Sequence, residues 1–249
     1  NGTNYIGGLV GDLVGGVINN SHATGNVSGS SDNIGGLVGK SDGRINSSYA
    51  TGTADGVNDV GGLVGDITVN AVIHHSNASG SVDGQFDVGG LVGESQGTIE
   101  ASSATGSVNG TNSIGGLVGD FDGGAINNSH AKGGASGSRH NIGGLVGIAR
   151  GGSIIDSSYA TGTADGVNDV GGLVGDSRGT IETSSATGDA NGTKRIGGLV
   201  GDLKGGAINN SHATGYASGS SDNIGGLVGK SNGSIDSSYA TGTADGVED

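Results

Sequence analysis

Residues 34–59 read IGGLVGKSDGRINSSYATGTADGVND, and the stretch falls into two blocks, Ile34–Gly39 and the run that begins at Ile45. The second block has the form I-x-x-S-x-A-x-G-x-[V/A]-x-G, carried by Ile45, Ser48, Ala50, Gly52, Ala54 and Gly56. From Ser48 onward its fixed residues fall on every second position, the period of a strand and not the 3.6 of a helix. Ser48, Ala50, Gly52 and Ala54 are therefore expected to face inward, with Tyr49, Thr51 and Thr53 facing solvent. Between Ile45 and Ser48 the period slips by one, which predicts a bend at the polar pair Asn46-Ser47.

The block [I/V]GGLVG recurs nine times, at Ile6, Ile34, Val60, Val88, Ile114, Ile142, Val170, Ile196 and Ile224, spaced 26 or 28 residues apart. Each copy is followed by the second block, so an Ile column (Ile18 to Ile235), a Ser column (Ser21 to Ser238) and an Ala column (Ala23 to Ala240) run through all nine units. Length changes collect after GLVG and before the next [I/V]GG, which marks these as turns. A coil of about 27 residues with two or three short strands predicts a right-handed parallel β-solenoid, a β-helix with almost no helical residues. With strands ~4.8 Å apart, nine coils make a rod of roughly 43 Å. Residues 1–249 are read as one such array. The units fall into types ordered A-B-C-D-A-B-D-A-B, where A units carry INNSHA, B units SSYATGTADGV, D units TIExSSATG, and the C unit His74-His75. Both ends cut through this pattern without polar capping repeats, and the sequence starts at Asn1 with no signal-like segment of its own, so a processed or excised piece of a longer array is expected.

Composition narrows the function. The 249 residues include 59 Gly and no Pro, Cys, Met or Trp, and only 31% are apolar. A layered core of large side chains is excluded, whereas short apolar blocks stacked into one thin continuous core are not. Disulfides, thiolate metal sites and thiol catalysis are excluded by the lack of cysteine. No apolar run reaches the 18 residues a membrane helix needs. A net charge of −14, from 10 Lys+Arg against 24 Asp+Glu, argues against nucleic acid, whose binding needs clustered cations.

The ninefold [I/V]GGLVG block with the following Ser-x-Ala-Thr-Gly resembles the GLUG-motif repeats of large bacterial surface proteins. These include adhesins similar to filamentous haemagglutinin and the non-catalytic repeat regions of some immunoglobulin A proteases. The resemblance covers essentially the whole chain and implies a stalk or display scaffold. It carries over no catalytic residue, because the HExxH pattern of the zinc proteases is absent.

The residues suggest no enzyme: no Ser-His-Asp or paired-carboxylate arrangement recurs at a usable spacing. The histidines His22, His130 and His212 share one outward column but stand three or more coils apart, at least ~14 Å, too far to share an ion. The adjacent pair His74-His75 would point to opposite faces of a strand, a rule that a corner there could relax. Acidic residues follow the motif (Asp12, Asp66, Asp120, Asp176, Asp202) or precede it (Asp59, Asp87, Asp169). Calcium is the one cation such turns would admit, yet Lys40, Ile148 and Lys230 interrupt the first column, and Asn33, Ser113, Asn141 and Arg195 the second. Asn and Asp are expected at turns for local hydrogen bonding and positive φ alone, and no cofactor is expected. The Gly pairs are expected to serve tight coil packing.

An apolar set after GLVG, namely Leu13, Ile67, Phe121, Ile148 and Leu203, is expected to fold over the core, with a lateral partner contact as the alternative. The candidate partner-contact residues are accordingly Leu13, Ile67, Phe121 and Leu203, together with the outward ring column His22, Tyr49, His130, Tyr159, His212 and Tyr239. The expected function is a structural repeat segment of a bacterial surface or secreted adhesin, a rigid extracellular stalk or fibre. Its expected partners are further repeats or copies of itself stacked end to end and a host or environmental surface ligand, with neither nucleic acid nor membrane insertion. Two alternatives remain open: a self-assembling filament, and an ice- or glycan-binding solenoid using the Thr, Tyr and His rows.

Overall fold

The computed structural model describes residues 2–246. Among them there is no helix, and nine parallel coils stack into a β-solenoid. One coil shows the plan. Strands Asn58–Gly61, Val64–Ile67, Val72–His74, Asn77–Ala78 and Val82–Asp83 follow one another round the circuit, and Phe86–Gly89 opens the next coil. The second, third and fourth strand types each form a sheet of nine strands, while the first and fifth merge into one sheet of 17. Five very short strands per coil, rather than two or three, is a correction to the expectation from periodicity. The corners are sharper than a bulge.

Two residues per coil are left-handed, one at the corner between the third and fourth strands and one within the first strand. The residue two places after each column Ile has φ near +48° in every coil, as at Ser47 (48°), His75 (48°) and Asn128 (49°). The residue before each [I/V]GG is also left-handed, as at Asn33 (58°), Asp87 (52°) and Arg195 (56°). Short polar side chains dominate both columns because they bear this conformation at the least cost. The slip between Ile and Ser is thus a corner, as the sequence predicts.

Register is unbroken along the columns. Ile45 pairs with Ile73 and Ile73 with Ile99; Val60 pairs with Ile34 on one side and Val88 on the other. The interior has two thin compartments. The larger holds the Leu, Val, Ile and Ala columns, and the smaller holds the [I/V] column against Val27, Ala54, Val82 and their equivalents. The GG backbone runs down onto the Ala column. A Cβ on Gly62 would lie 3.0 Å from the Ala78 Cβ and 2.2 Å from the Gly90 carbonyl oxygen, so neither site has room for a larger side chain.

The inward Ser column is a hydrogen-bonded ladder. The Ser48 amide donates to Ser76 Oγ at 3.2 Å, Ser76 to Ser102 Oγ at 3.1 Å, and Ser102 to Ser129 Oγ at 3.1 Å. Each hydroxyl in turn donates to the carbonyl two residues earlier, as Ser48 Oγ does to Asn46 at 2.8 Å. This satisfies buried polar groups that would otherwise be costly, and Ser48 to Ser211 are buried as expected.

Candidate functional site

Three groups of residues bear on function: the post-motif apolar set, the acidic columns and the outward ring column.

The apolar set is not a surface. Ile67, Phe121 and Leu203 each have 0% exposure, and Leu13 is half-buried against the same core. They alternate in register with small residues, so that Leu13 pairs with Ser41, Ser41 with Ile67, Ile67 with Ser95, and Ser95 with Phe121. A large side chain spreads into the space its small neighbours leave. The candidate assignment of Ile67, Phe121 and Leu203 as partner contacts is therefore corrected: they are core, as the inward expectation has it. Ile148 belongs to a different column, in register between Asp120 and Asp176.

That column, Asp12-Lys40-Asp66-Glu94-Asp120-Ile148-Asp176-Asp202-Lys230, runs beside the left-handed pre-motif column, and together they form an acidic seam. Cations from nearby coils clamp it. Lys40 pairs with Asp66 and Lys204 with Asp176. Arg150 Nε donates to Asp120 Oδ1 at 3.0 Å, and Arg195 reaches Asp169 Oδ2 at 2.9 Å and Asp202 Oδ2 at 3.4 Å. Between the Lys40 and Arg150 clamps, Asp59, Asp87 and Glu94 crowd together. Burial, then the charges of Glu94 and Asp87, pushes Asp59 up to about 7. Burial and then Asp120 push Asp87 up to about 6. Glu94 is raised for the same reasons, burial first and Asp66 next. Among the described residues no group of three His, Cys, Asp or Glu is placed to hold a metal ion. His74 and His75 face each other edge-on, with ring centroids 3.9 Å apart.

The outward ring column is ordered in a way the sequence reading missed. His22 stacks on Tyr49 (centroids 4.9 Å, planes 5° apart), His130 on Tyr159 (4.7 Å, 1°) and His212 on Tyr239 (5.1 Å, 6°). The signal was present: the histidine of every A unit sits one coil before the tyrosine of a B unit, in the same column. Parallel in-register pairing places the rings one strand spacing apart, the distance of a stacked pair. The neighbouring Thr rank, including Thr161 and Thr187, is exposed.

The family model described as the GLUG motif matches residues 84–109 and 138–164. No curated protein and no solved structure matches the chain. The chain thus carries GLUG-motif repeats in an all-β parallel solenoid.

Proposed function

We propose that this chain is a structural repeat segment of a bacterial surface or secreted adhesin, serving outside the cell as a rigid stalk that holds a binding region away from the envelope. One observation carries the reading: the inward columns pass from coil to coil without a break in register, so that bending the rod means breaking sheet hydrogen bonds and core packing together. The GLUG match at two segments supports a repeat region, and the adhesin context comes from the resemblance to such proteins.

Further coils, or a second copy, are the partners that suit its ends. In the last coil Ile224, Leu227 and Val228 are only half-buried and Ile235 is 44% exposed, whereas Ile196, Leu199, Val200 and Ile208 one coil earlier have no exposed surface. An added coil would bury that apolar face and pair its open strand edges.

The test is deletion of residues 114–195, one A-B-D set of 82 residues, from the full-length parent. Ser113 is then joined to Ile196, which preserves the coil phase. A stalk shortens by roughly 14 Å, three coils at ~4.8 Å, and keeps its adhesion apart from reach. Loss of binding by a parent that still folds and reaches the surface would instead put recognition inside these repeats.

A further inference from the structure

The ring column does more than face solvent: it contains a notch. Tyr159 pairs in register with Ser185, and Ser185 with His212. Tyr159 has one ring face covered by His130, and His212 has one covered by Tyr239. Their other faces look toward each other across a single coil whose side chain in this column is the small Ser185. Two strand spacings set the walls roughly 9.6 Å apart. The order of the units produces this width. Between Tyr49 and His130 the extra C unit inserts a second small residue, so Asn77 and Ser103 separate those rings by three spacings, roughly 14 Å. Where the C unit is missing, the gap closes to one coil.

We propose that the notch walled by Tyr159 and His212 and floored by Ser185 binds a single pyranose ring of a glycan, an activity separate from the stalk role. A guest centred between the walls lies about 4.8 Å from each. That leaves a planar ring about 1 Å short of the 3.5–4.0 Å carbon contact that dispersion favours. A puckered saturated ring, with C–H bonds projecting from both faces, fills the difference. Polar residues lie to either side of Ser185 along the same coil: Glu182, which ends the preceding strand and accepts from Asn209 at 3.4 Å, and the exposed Thr187. A carboxylate and hydroxyls suit sugar hydroxyl groups. The same carboxylate, on a chain of net charge −14, disfavours a nucleotide. Because Tyr159 is already stacked on His130 within 1°, little side-chain freedom is lost when a sugar enters.

The experiment titrates the full chain with cellohexaose, chitohexaose, maltohexaose and mannohexaose, following the histidine and tyrosine ring resonances by NMR. At least one sugar is expected to shift the Tyr159 and His212 signals. Tyr159→Ala, His212→Ala and Ser185→Trp, the last of which fills the notch, are each expected to weaken binding at least about tenfold. Tyr216→Ala, at an exposed ring outside this column, is expected to leave it within about twofold. Circular dichroism and melting temperature establish that each variant folds, and because Ser185 lies on the outer face its replacement leaves the core intact. The proposal is overturned if none of the four sugars binds at about 10 mM, if Ser185→Trp binds as well as the parent, or if adenosine or a tyrosine-containing peptide occupies the notch and the sugars do not.

Discussion

Ala104 lies directly beneath Gly90: a side-chain carbon on Gly90 would come within 2.8 Å of the Ala104 Cβ. The same contact recurs between Gly144 and Ala160 at 3.0 Å. Two columns that look independent in the sequence are one constraint, since the backbone of the GG bend occupies the space a larger residue at Ala would need. Ala104→Leu and Ala160→Leu are therefore expected to destabilise the protein by about 3 kcal/mol or more, at the upper end for overpacking because the neighbour is backbone and cannot rotate away. Thr105→Leu and Thr161→Leu, one residue along on the outer face, are expected to stay within about 0.5 kcal/mol. Thermal melts of the four variants check this, and equal tolerance at both columns would refute the inward assignment.

The alternating column holds two hydroxyls with no use. Ser95 and Ser177 have 0% exposure, and among the described residues neither Oγ has a hydrogen-bond partner. Ser95 is flanked in register by Ile67 and Phe121, and Ser177 by Ala149 and Leu203, none of which has a side-chain acceptor. Ser95→Ala and Ser177→Ala are each expected to raise stability by about 1 kcal/mol, because an unpaired buried hydroxyl is removed without opening a large cavity. Ser102→Ala, in the hydrogen-bonded ladder, is expected to lower it by a similar amount, since the Ser76 amide and the Glu100 carbonyl lose their partner. Denaturant melts of the three variants give the signs directly.

Much of this fold was legible in residues 45–56. Period-2 invariance placed Ser48, Ala50 and Ala54 inside, and the slip before Ser48 located a corner that the structure builds with Ser47 in the left-handed region. What stayed hidden depended on register between coils. Leu13, Ile67, Phe121 and Leu203 form an interrupted apolar set along the chain that is expected to fold over the core, but how they pack becomes plain only when Ser41, Ser95, Ala149 and Ser177 are seen to fill the intervening levels. The same holds for the His–Tyr stacks and for the acidic seam, where the partners of Asp66, Asp120 and Asp176 lie 26 to 30 residues away. A one-coil reading sees each side chain without its neighbours above and below.

The middle of the acidic seam makes stability depend on pH. Asp59 is held up to about 7 and Asp87 to about 6 in the folded chain, both by burial first; the unfolded values are about 3.9. The folded state thus keeps protons that the unfolded state releases. This contribution is complete below about pH 4 and is lost as pH rises through about 6 to 7. The melting temperature is expected to fall between about pH 5 and about pH 8, and Asp59→Asn with Asp87→Asn to flatten that slope while raising stability at the alkaline end. His130 opposes the trend, because its burial pushes its pKa down and acid must charge it. An unchanged slope in the Asn variants would remove these two carboxyls as its source.

Arg195 holds the far end of the seam. It occupies a left-handed position that Asn fills at 33, 141 and 223, and its guanidinium reaches both Asp169 and Asp202. Those carboxylates are buried, with exposures of 4% and 1%, and among the described residues Asp202 Oδ1 has no hydrogen bond. Arg195→Asn keeps the backbone conformation while removing the guanidinium and its arm, so the backbone contributes little to its effect. Leaving buried carboxylates without their cation is expected to cost about 3 kcal/mol, the lower end for a broken buried pair because the guanidinium is partly exposed. Adding Asp202→Asn removes one of the stranded charges and is expected to restore part of the loss, giving a coupling of about 1 kcal/mol or more in a double-mutant cycle. Acidification offers the same relief without mutation: burial already raises the Asp202 pKa, so the deficit of Arg195→Asn is expected to shrink as pH falls and that carboxyl takes up its proton. Additive effects of Arg195→Asn and Asp202→Asn, with a deficit that does not vary with pH, would mean that the arginine acts by packing its side chain over the seam and not by its charge.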